Sequence, residues 1–179
     1  MLSEEAKAVA ERQRRRFNEL VDVFDRPQPP EVMARLREIV ALAQLSPGSV
    51  VLDVGTGVGV LIPLIQSYQP ATVLACDVAE KMLQRVQHKY PAVRTFHTDI
   101  VSLALASTSL DAIFMNGMYG NIADKPAACG NAARMLRSGG RLVVSHPEGR
   151  AFVDQLRATS DLFVESLPTK VLLEPLGWR

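Results

Sequence analysis

The sequence predicts an α/β protein: a doubly wound, mostly parallel sheet with helices on both faces and a helical cap at its N-terminal end. Three observations carry this. From the turn Ser46-Pro47-Gly48 to Pro147, short apolar runs alternate with amphipathic stretches, and such alternation implies parallel strands joined by helical crossovers. The first run, Val50-Val51-Leu52, ends at Asp53 and leads into three glycines at alternate positions, Gly55, Gly57 and Gly59. The second, Thr72-Val73-Leu74-Ala75-Cys76, ends at Asp77, 18 residues beyond Gly59.

Each element follows in order. Residues 3–24 carry a helical pattern, with Ser3 as a cap, acids in the first turn and Val9, Phe17, Leu20, Val21 and Phe24 as apolar anchors. Arg26-Pro27-Gln28-Pro29-Pro30 breaks it, since Pro27 disfavours helical geometry at Arg26. A second helix is expected from Glu31 to about Leu45, with Val32, Leu36, Ile39, Val40 and Ala43 at helical spacing. Residues 1–45 are thus expected to form a cap, and 46–179 the sheet core of a single domain, as the length of 179 residues suggests. After the two strands named above, Val93–His97 reads as a third and Leu110–Asn116 as a fourth. A helix through Arg134-Met135-Leu136, a turn at Gly139-Gly140 and a fifth strand to Ser145 follow, then a helix from Arg150 to about Val164. No internal repeat or low-complexity segment interrupts this order.

Composition narrows the class. Apolar residues make up 47% of the chain, ample for a core, and the formal net charge is +1. That charge gives no electrostatic footprint for a nucleic-acid backbone. The one basic cluster, Arg12, Arg14, Arg15 and Arg16, spreads around a helix flanked by Glu4, Glu5, Glu11 and Glu19 and reads as a solvated face. Cys76 and Cys129 lack metal or redox spacing, and no metal is expected. No apolar stretch approaches membrane-spanning length. The N-terminus lacks the apolar core of a signal peptide, so a reducing cytoplasm is expected.

The glycine turn and the two acids describe a nucleotide pocket. Glycines let backbone approach a ligand closely, and an acid at the tip of the second strand can accept both hydroxyls of a ribose. A dinucleotide fingerprint is Gly-x-Gly-x-x-Gly with a helix N-terminus aimed at pyrophosphate. Here the glycines fall at first, third and fifth positions, and Asp53 would repel a pyrophosphate. It suits a ligand with a cationic end. S-adenosylmethionine has an ammonium, a sulfonium and no phosphate. Asp53-x-Gly55-x-Gly57-x-Gly59 resembles the first motif of the class I S-adenosylmethionine-dependent methyltransferases, and the resemblance extends over about residues 30–150.

The resemblance implies five parallel strands in the order 3-2-1-4-5. The segment from Leu167 to Trp178 is similar to the family's exit into a last antiparallel hairpin, which this chain is expected to lack. The cofactor is expected to meet Asp53, Gly55, Thr56, Gly57, Gly59, Asp77, Val78 and Met82. At Asp99-Ile100 the family places an acid that accepts from the adenine amino group and an apolar residue against the ring. Asn116 and Gly117 would lie at the methionine end. Asn116-Gly117-Met118-Tyr119 has the spacing of the Asn-Pro-Pro-Tyr motif of amide and adenine N-methyltransferases without its prolines. The alternative is a cofactor-end loop in which Tyr119 packs on the methionine portion or the substrate. His146 is the candidate base, able to accept a proton near neutrality, or else a strand-end cap bonded to backbone. His97 is expected to be structural and His88 solvated. The whole pattern most resembles the small-molecule branch near the ubiquinone and menaquinone methyltransferases. A nucleic-acid or protein methyltransferase and a non-catalytic cofactor-binding module are the alternatives. The acceptor and the oligomeric state are not set by the sequence.

Overall fold

A computed structural model describes residues 4–159 together with Pro168 and Leu173. The elements are α1 (Glu4–Glu19), α2 (Val21–Phe24), α3 (Pro30–Ala41), β1 (Val50–Val54), α4 (Ile62–Gln66), β2 (Thr72–Asp77), α5 (Glu80–Lys89), β3 (Arg94–His97), β4 (Leu110–Asn116), a 3-10 turn (Tyr119–Asn121), α6 (Lys125–Met135), β5 (Leu136–Ser145) and α7 (Gly149–Thr159). The strands form one sheet in the order β3-β2-β1-β4-β5, and every pairing is parallel.

Alternate residues along each strand feed opposite faces. Val51, Val73, Ala75, Ala112, Phe114 and Val143 pack on one side with α3, α4 and Val86 of α5. Leu52, Val54, Leu74, Cys76, Ile113 and Met115 pack on the other with Ala128, Cys129, Ala132 and Met135 of α6. The fold is doubly wound, as expected. One crossover departs from strict alternation. Between β3 and β4 there is no helix, and loop residues Ile100 and Leu103 bury against the α6 face instead.

The cap expected over residues 1–45 divides in two. Val32, Leu36, Ile39 and Val40 put α3 into the sheet core. Each buried aliphatic there contributes roughly 1.5–3 kcal/mol, so α3 is a layer of the sheet and only α1 and α2 form the cap. The Gly139-Gly140 turn is a bulge inside β5. Leu110 pairs with Leu136, but Ala112 pairs with Arg141. The extra residues turn at Gly139, in the left-handed region at φ +79°, and Arg137 forms an ion pair with Asp111. The helix expected to run to about Val164 is described to Thr159. The segment from Leu167 to Trp178 and the hairpin question lie outside the described residues, apart from Pro168 and Leu173.

Candidate functional site

The turn after β1 is tied to the tip of β2. Gly55 N–H and Thr56 N–H both donate to the Cys76 carbonyl, at 2.8 and 3.2 Å. The three glycines, all at positive φ, serve different ends. A Cβ at Gly55 would sit 2.8 Å from the Met118 side chain, and one at Gly59 would sit 2.7 Å from Ile62 and 3.0 Å from Tyr90. Those two glycines make room for the protein itself. A Cβ at Gly57, at φ +54°, would meet nothing within 4 Å. Of the three, Gly57 is the one that leaves open space for a ligand.

Two carboxylates converge beneath this turn. Asp77 accepts from Gly57 N–H at 2.9 Å on one oxygen and from Ala79 N–H at 2.8 Å on the other. A carboxylate has about four acceptor sites, so it can receive a further donor besides these backbone N–H groups. Burial raises the Asp77 pKa, opposed by the backbone N–H groups of Ala79, Gly57 and Val78. Asp53, only 2% exposed, accepts from the Thr56 hydroxyl at 2.7 Å. Its pKa is pushed up to about 7, chiefly by burial, against the Thr56 hydrogen bond and reinforced by Asp77. Asp53, Thr56, Gly57 and Asp77 are therefore brought together as expected. Val78 is half-buried beside them, and its carbonyl lies 3.0 Å from His97 Nε2, which gives His97 its structural role. Cys76 is buried, and burial raises its thiol pKa.

Asp99 lies beyond β3, exposed, with one carboxyl oxygen accepting from Ser102 N–H at 2.7 Å. The loop behind it is held from α6. Asn131 Nδ2 donates to the carbonyls of Ile100 and Leu103, at 2.7 and 2.9 Å. Arg134 donates to Asn131 Oδ1 at 3.0 Å, to the Leu105 carbonyl at 2.8 Å and to Ser107 Oγ at 3.1 Å. Ile100 is 1% exposed and packs in the α6-side core. Met82 is likewise buried, packed with Val21, Val58 and Ala79 beneath the cap.

The acceptor end also corrects the expectations. Asn116 Oδ1 accepts from Ser145 Oγ at 3.0 Å, and Gly117 turns at φ +69° with its N–H on the Ser145 carbonyl at 2.8 Å. The 3-10 turn that follows tucks Tyr119 inward. It is 4% exposed, its hydroxyl lies 4.0 Å from Cys129 Sγ, and Lys125 Nζ sits 5.5 Å from its ring centroid. Tyr119 is a core residue of the α6 side and is withdrawn from any acceptor. His146 Nδ1 accepts from Glu148 N–H at 3.2 Å, and its ring packs on Phe152 with centroids 5.0 Å apart. Burial lowers its pKa despite Glu148. A neutral imidazole that accepts at Nδ1 carries its proton on Nε2, so neither nitrogen is free to take one. The strand-end cap is the role this geometry supports.

The cap reaches over the glycine turn. Val21 packs with Val58 and Met82, with Phe17 against them. Asn18 Oδ1 accepts from Lys81 N–H at 3.0 Å. That bond caps α5, whose own N-cap residue, Ala79, has no side-chain oxygen. Asp22 and Asp25 pair with Arg85, and Asp25 also with Lys89. Lys89, then Arg85, holds the Asp25 carboxyl below its ordinary pKa. Gln13, buried in α1, donates to Asn121 Oδ1 at 3.4 Å, which extends α1 towards the β4 end. A depression of about 350 Å³ between α1–α2 and α5 is lined by solvated charges such as Asp22, Lys81 and Arg85 and includes none of the expected site residues.

Sequence reasoning missed Met118, Val58, Asn18 and Asn131. Only Asn131 left a signal: an asparagine inside a helix is disfavoured unless its side chain has a partner.

Comparison with known proteins agrees with this geometry. Residues 52–144, just over half of the chain, match the family described as a methyltransferase domain. A demethylmenaquinone methyltransferase of Thermus thermophilus is 34% identical over 99 residues, 52% of this chain and 45% of that protein. One from Tropheryma whipplei is 30% identical over 151 residues, 78% of this chain and 61% of that protein. The chain therefore spans about half the length of these relatives. A solved S-adenosylmethionine-dependent methyltransferase from Aquifex aeolicus shares the fold with a TM-score of 0.69, 19% identity and coverage of 90% and 88% of the two chains. With the Asp53 glycine turn, the acid at the tip of β2 and the strand order in place, the chain belongs to the class I S-adenosylmethionine-dependent methyltransferase family.

Proposed function

We propose that this protein binds S-adenosylmethionine at the tips of β1, β2 and β3 and transfers its methyl group to a small-molecule acceptor in the cytoplasm. One observation carries the reading. The glycine turn pins two buried acids, Asp53 and Asp77, at adjacent strand tips, and beside them Gly57 faces open space in a backbone conformation that suits glycine. A ligand rich in hydroxyl and ammonium donors fits that arrangement, and a phosphate does not.

When bound, the cofactor supplies an electrophilic methyl on a sulfonium that carries its own activation. The chain's task is then to bind, align and exclude water. Asp77 offers its remaining acceptor capacity to the ribose hydroxyls. Asp53 balances the ammonium, and Asp99 accepts from the base through the oxygen that Ser102 does not use. Gly57 lets backbone lie against the ligand. The cap residues Phe17 and Val21 cover the turn from the solvent side. With Tyr119 in the core and His146 Nδ1 held by Glu148 N–H, neither of these two candidates is set up as a general base. That favours an acceptor whose nucleophilic atom is already unprotonated at neutral pH.

The small-molecule acceptor draws support from the two demethylmenaquinone methyltransferases and from the near-neutral formal net charge of +1, with Arg14 of the one basic cluster paired to Glu11 and Glu80 at 2.9 and 3.6 Å. Among the described residues no helix is long and apolar enough to cross a membrane. The test is calorimetric titration with S-adenosylhomocysteine, together with a mass spectrum of the protein as purified. Micromolar binding supports the reading, and absence of binding sinks it. Methyl incorporation into tRNA or protein, with none into small quinols or phenols, would move the acceptor to the macromolecular class.

A further inference from the structure

We propose that Asn131 of α6 is a positioning residue for the cofactor, setting from behind the loop by which the protein distinguishes an amino-bearing base from an oxo-bearing one. The inference rests on the proposed function and concerns residues that touch no part of the ligand.

The loop from Thr98 to Ser109 has no helix or strand to hold its shape. Its start is fixed by Thr98 N–H on the Asp77 carbonyl at 3.1 Å, which places it beside the β2 tip. Its first turn is closed by Asp99 itself, through Ser102 N–H. Beyond Thr98, which also donates to the Phe96 carbonyl at 3.1 Å, the polar ties of the loop to the body of the protein come, among the described residues, from α6, including the Arg134 and Met135 carbonyls that accept from Thr108 and Ser109 N–H. Both Nδ2 hydrogens of Asn131 are used, on Ile100 and Leu103, and its Oδ1 is used by Arg134. This uses both donors of the carboxamide and fixes which way it faces. Arg134 then extends the clamp to Leu105 and Ser107. Beneath these bonds Ile100 and Leu103 are seated in the core, so the carbonyls cannot turn to water without unseating them.

Asp99 is the group this clamp aims. One of its oxygens is committed to Ser102, and the other makes no hydrogen bond among the described residues. A carboxylate oxygen accepts and cannot donate. It attracts the amino group at position 6 of adenine and repels the carbonyl at position 6 of hypoxanthine. The contrast is worth roughly ten- to a hundredfold in affinity, the span of one hydrogen bond to a charged group. It is realised only while the Asp99 turn is held in place, because a turn free to shift lets the oxo base escape the repulsion and the amino base lose its partner.

The test compares S-adenosylhomocysteine with S-inosylhomocysteine by calorimetry on the full chain. Wild-type protein is expected to prefer the adenosyl ligand by at least about tenfold. Asn131→Asp is nearly isosteric but turns oxygen towards two carbonyls. It should bring the ratio of the two affinities close to one, mainly by weakening the adenosyl ligand. Arg134→Met, at an exposed position, should lower the ratio several-fold without endangering the fold. A merely structural role would weaken both ligands alike, so an unchanged ratio in Asn131→Asp overturns the proposal. Should Asn131→Asp fail to fold, an unchanged ratio in Arg134→Met overturns it instead. Wild-type protein that binds both ligands equally also overturns it while leaving the cofactor reading intact. Protein that binds neither ligand removes the cofactor reading and this inference together.

Discussion

Replacing Asp53 by asparagine should stabilise the protein above neutral pH and do little at pH 5. Asp53 is almost wholly buried and its carboxyl is pushed up to about 7, against an ordinary value of 3.8. The sign follows from proton binding. Between pH 4 and 7 the folded state keeps a proton that the unfolded chain has released, so stability falls as pH rises through that window. Above 7 the buried charge costs the full difference of about 3 pKa units, or about 4 kcal/mol. Asparagine keeps an oxygen for the Thr56 hydroxyl and carries no charge. Urea denaturation at pH 5 and pH 8 measures the effect as the change, between the two pH values, in the difference between variant and wild type. A gain of several kcal/mol for the variant at pH 8 and near-equality at pH 5 is expected. If the variant is equally destabilised at both, Asp53 is a satisfied carboxylate and the reasoning fails. On the proposed function, the same titration governs binding. A ligand ammonium selects the ionised form, so wild-type affinity for S-adenosylhomocysteine should fall about tenfold for each pH unit below 7, with a proton released on binding near pH 7. Asp53→Asn should bind more weakly at pH 8 and lack this slope. It also subtracts any titration of the ligand itself.

Gly57→Ala should cost about 1 kcal/mol of stability through its left-handed backbone and reduce S-adenosylhomocysteine affinity at least about tenfold. Calorimetry that finds binding intact would show that the open side of Gly57 is not the ligand side. Asp77→Ala should weaken the same ligand by roughly 2–3 kcal/mol, the worth of lost charge-assisted hydrogen bonds, and should loosen the turn by freeing the N–H groups of Gly57 and Ala79. An unchanged affinity would remove the ribose assignment. Hydrogen exchange should show residues 8–24 better protected with S-adenosylhomocysteine bound than without, because the ligand gives Phe17 and Val21 more to cover. Equal protection in both states would make α1 a fixed structural helix.

The sheet was legible because parallel strands buried on both faces are written as continuous apolar runs. Leu110–Asn116 was bounded correctly for that reason, and Asp77 marked the end of β2 because the chain turns polar where it leaves the sheet. The glycine turn was legible as a ligand site, but not which glycine serves the ligand. That depends on Met118, Ile62 and Tyr90, which come from other parts of the chain. Helix α3 was misassigned to the cap because apolar residues at helical spacing read the same whether the helix covers a sheet or a pocket. The burial of Tyr119 and Ile100 was not legible for a related cause. A loop has no periodicity from which to read the side a residue faces, and both turned into the α6 core. Asn131 binds carbonyls 28 and 31 residues away, a distance no local pattern encodes.

The cap and the acids form one arrangement. A carboxyl as buried as Asp53 is tolerated because it holds a proton near neutrality and has Thr56 for a partner, and Asp77 is tolerated because two amides face it. The apolar lid over them, Val21 on Val58 and Met82, lowers the local dielectric and so maintains the raised pKa values. The ion pairs that hold the cap, Asp22 and Asp25 with Arg85 and Lys89, engage the C-terminal half of α5, whereas Asp77 lies just before its N-terminus. A cationic ligand entering the turn can therefore part the apolar contact while the cap stays tethered through α2. On the proposed function, the ligand's ammonium would replace the proton on Asp53 as the partner of that carboxylate. The apolar contact would then re-form over the bound ligand, giving Phe17 and Val21 more to cover, and the proton would return to Asp53 when the ligand leaves. Such a reversible exchange of proton for ammonium would suit the proposed role, in which spent cofactor leaves and fresh cofactor enters on every turnover.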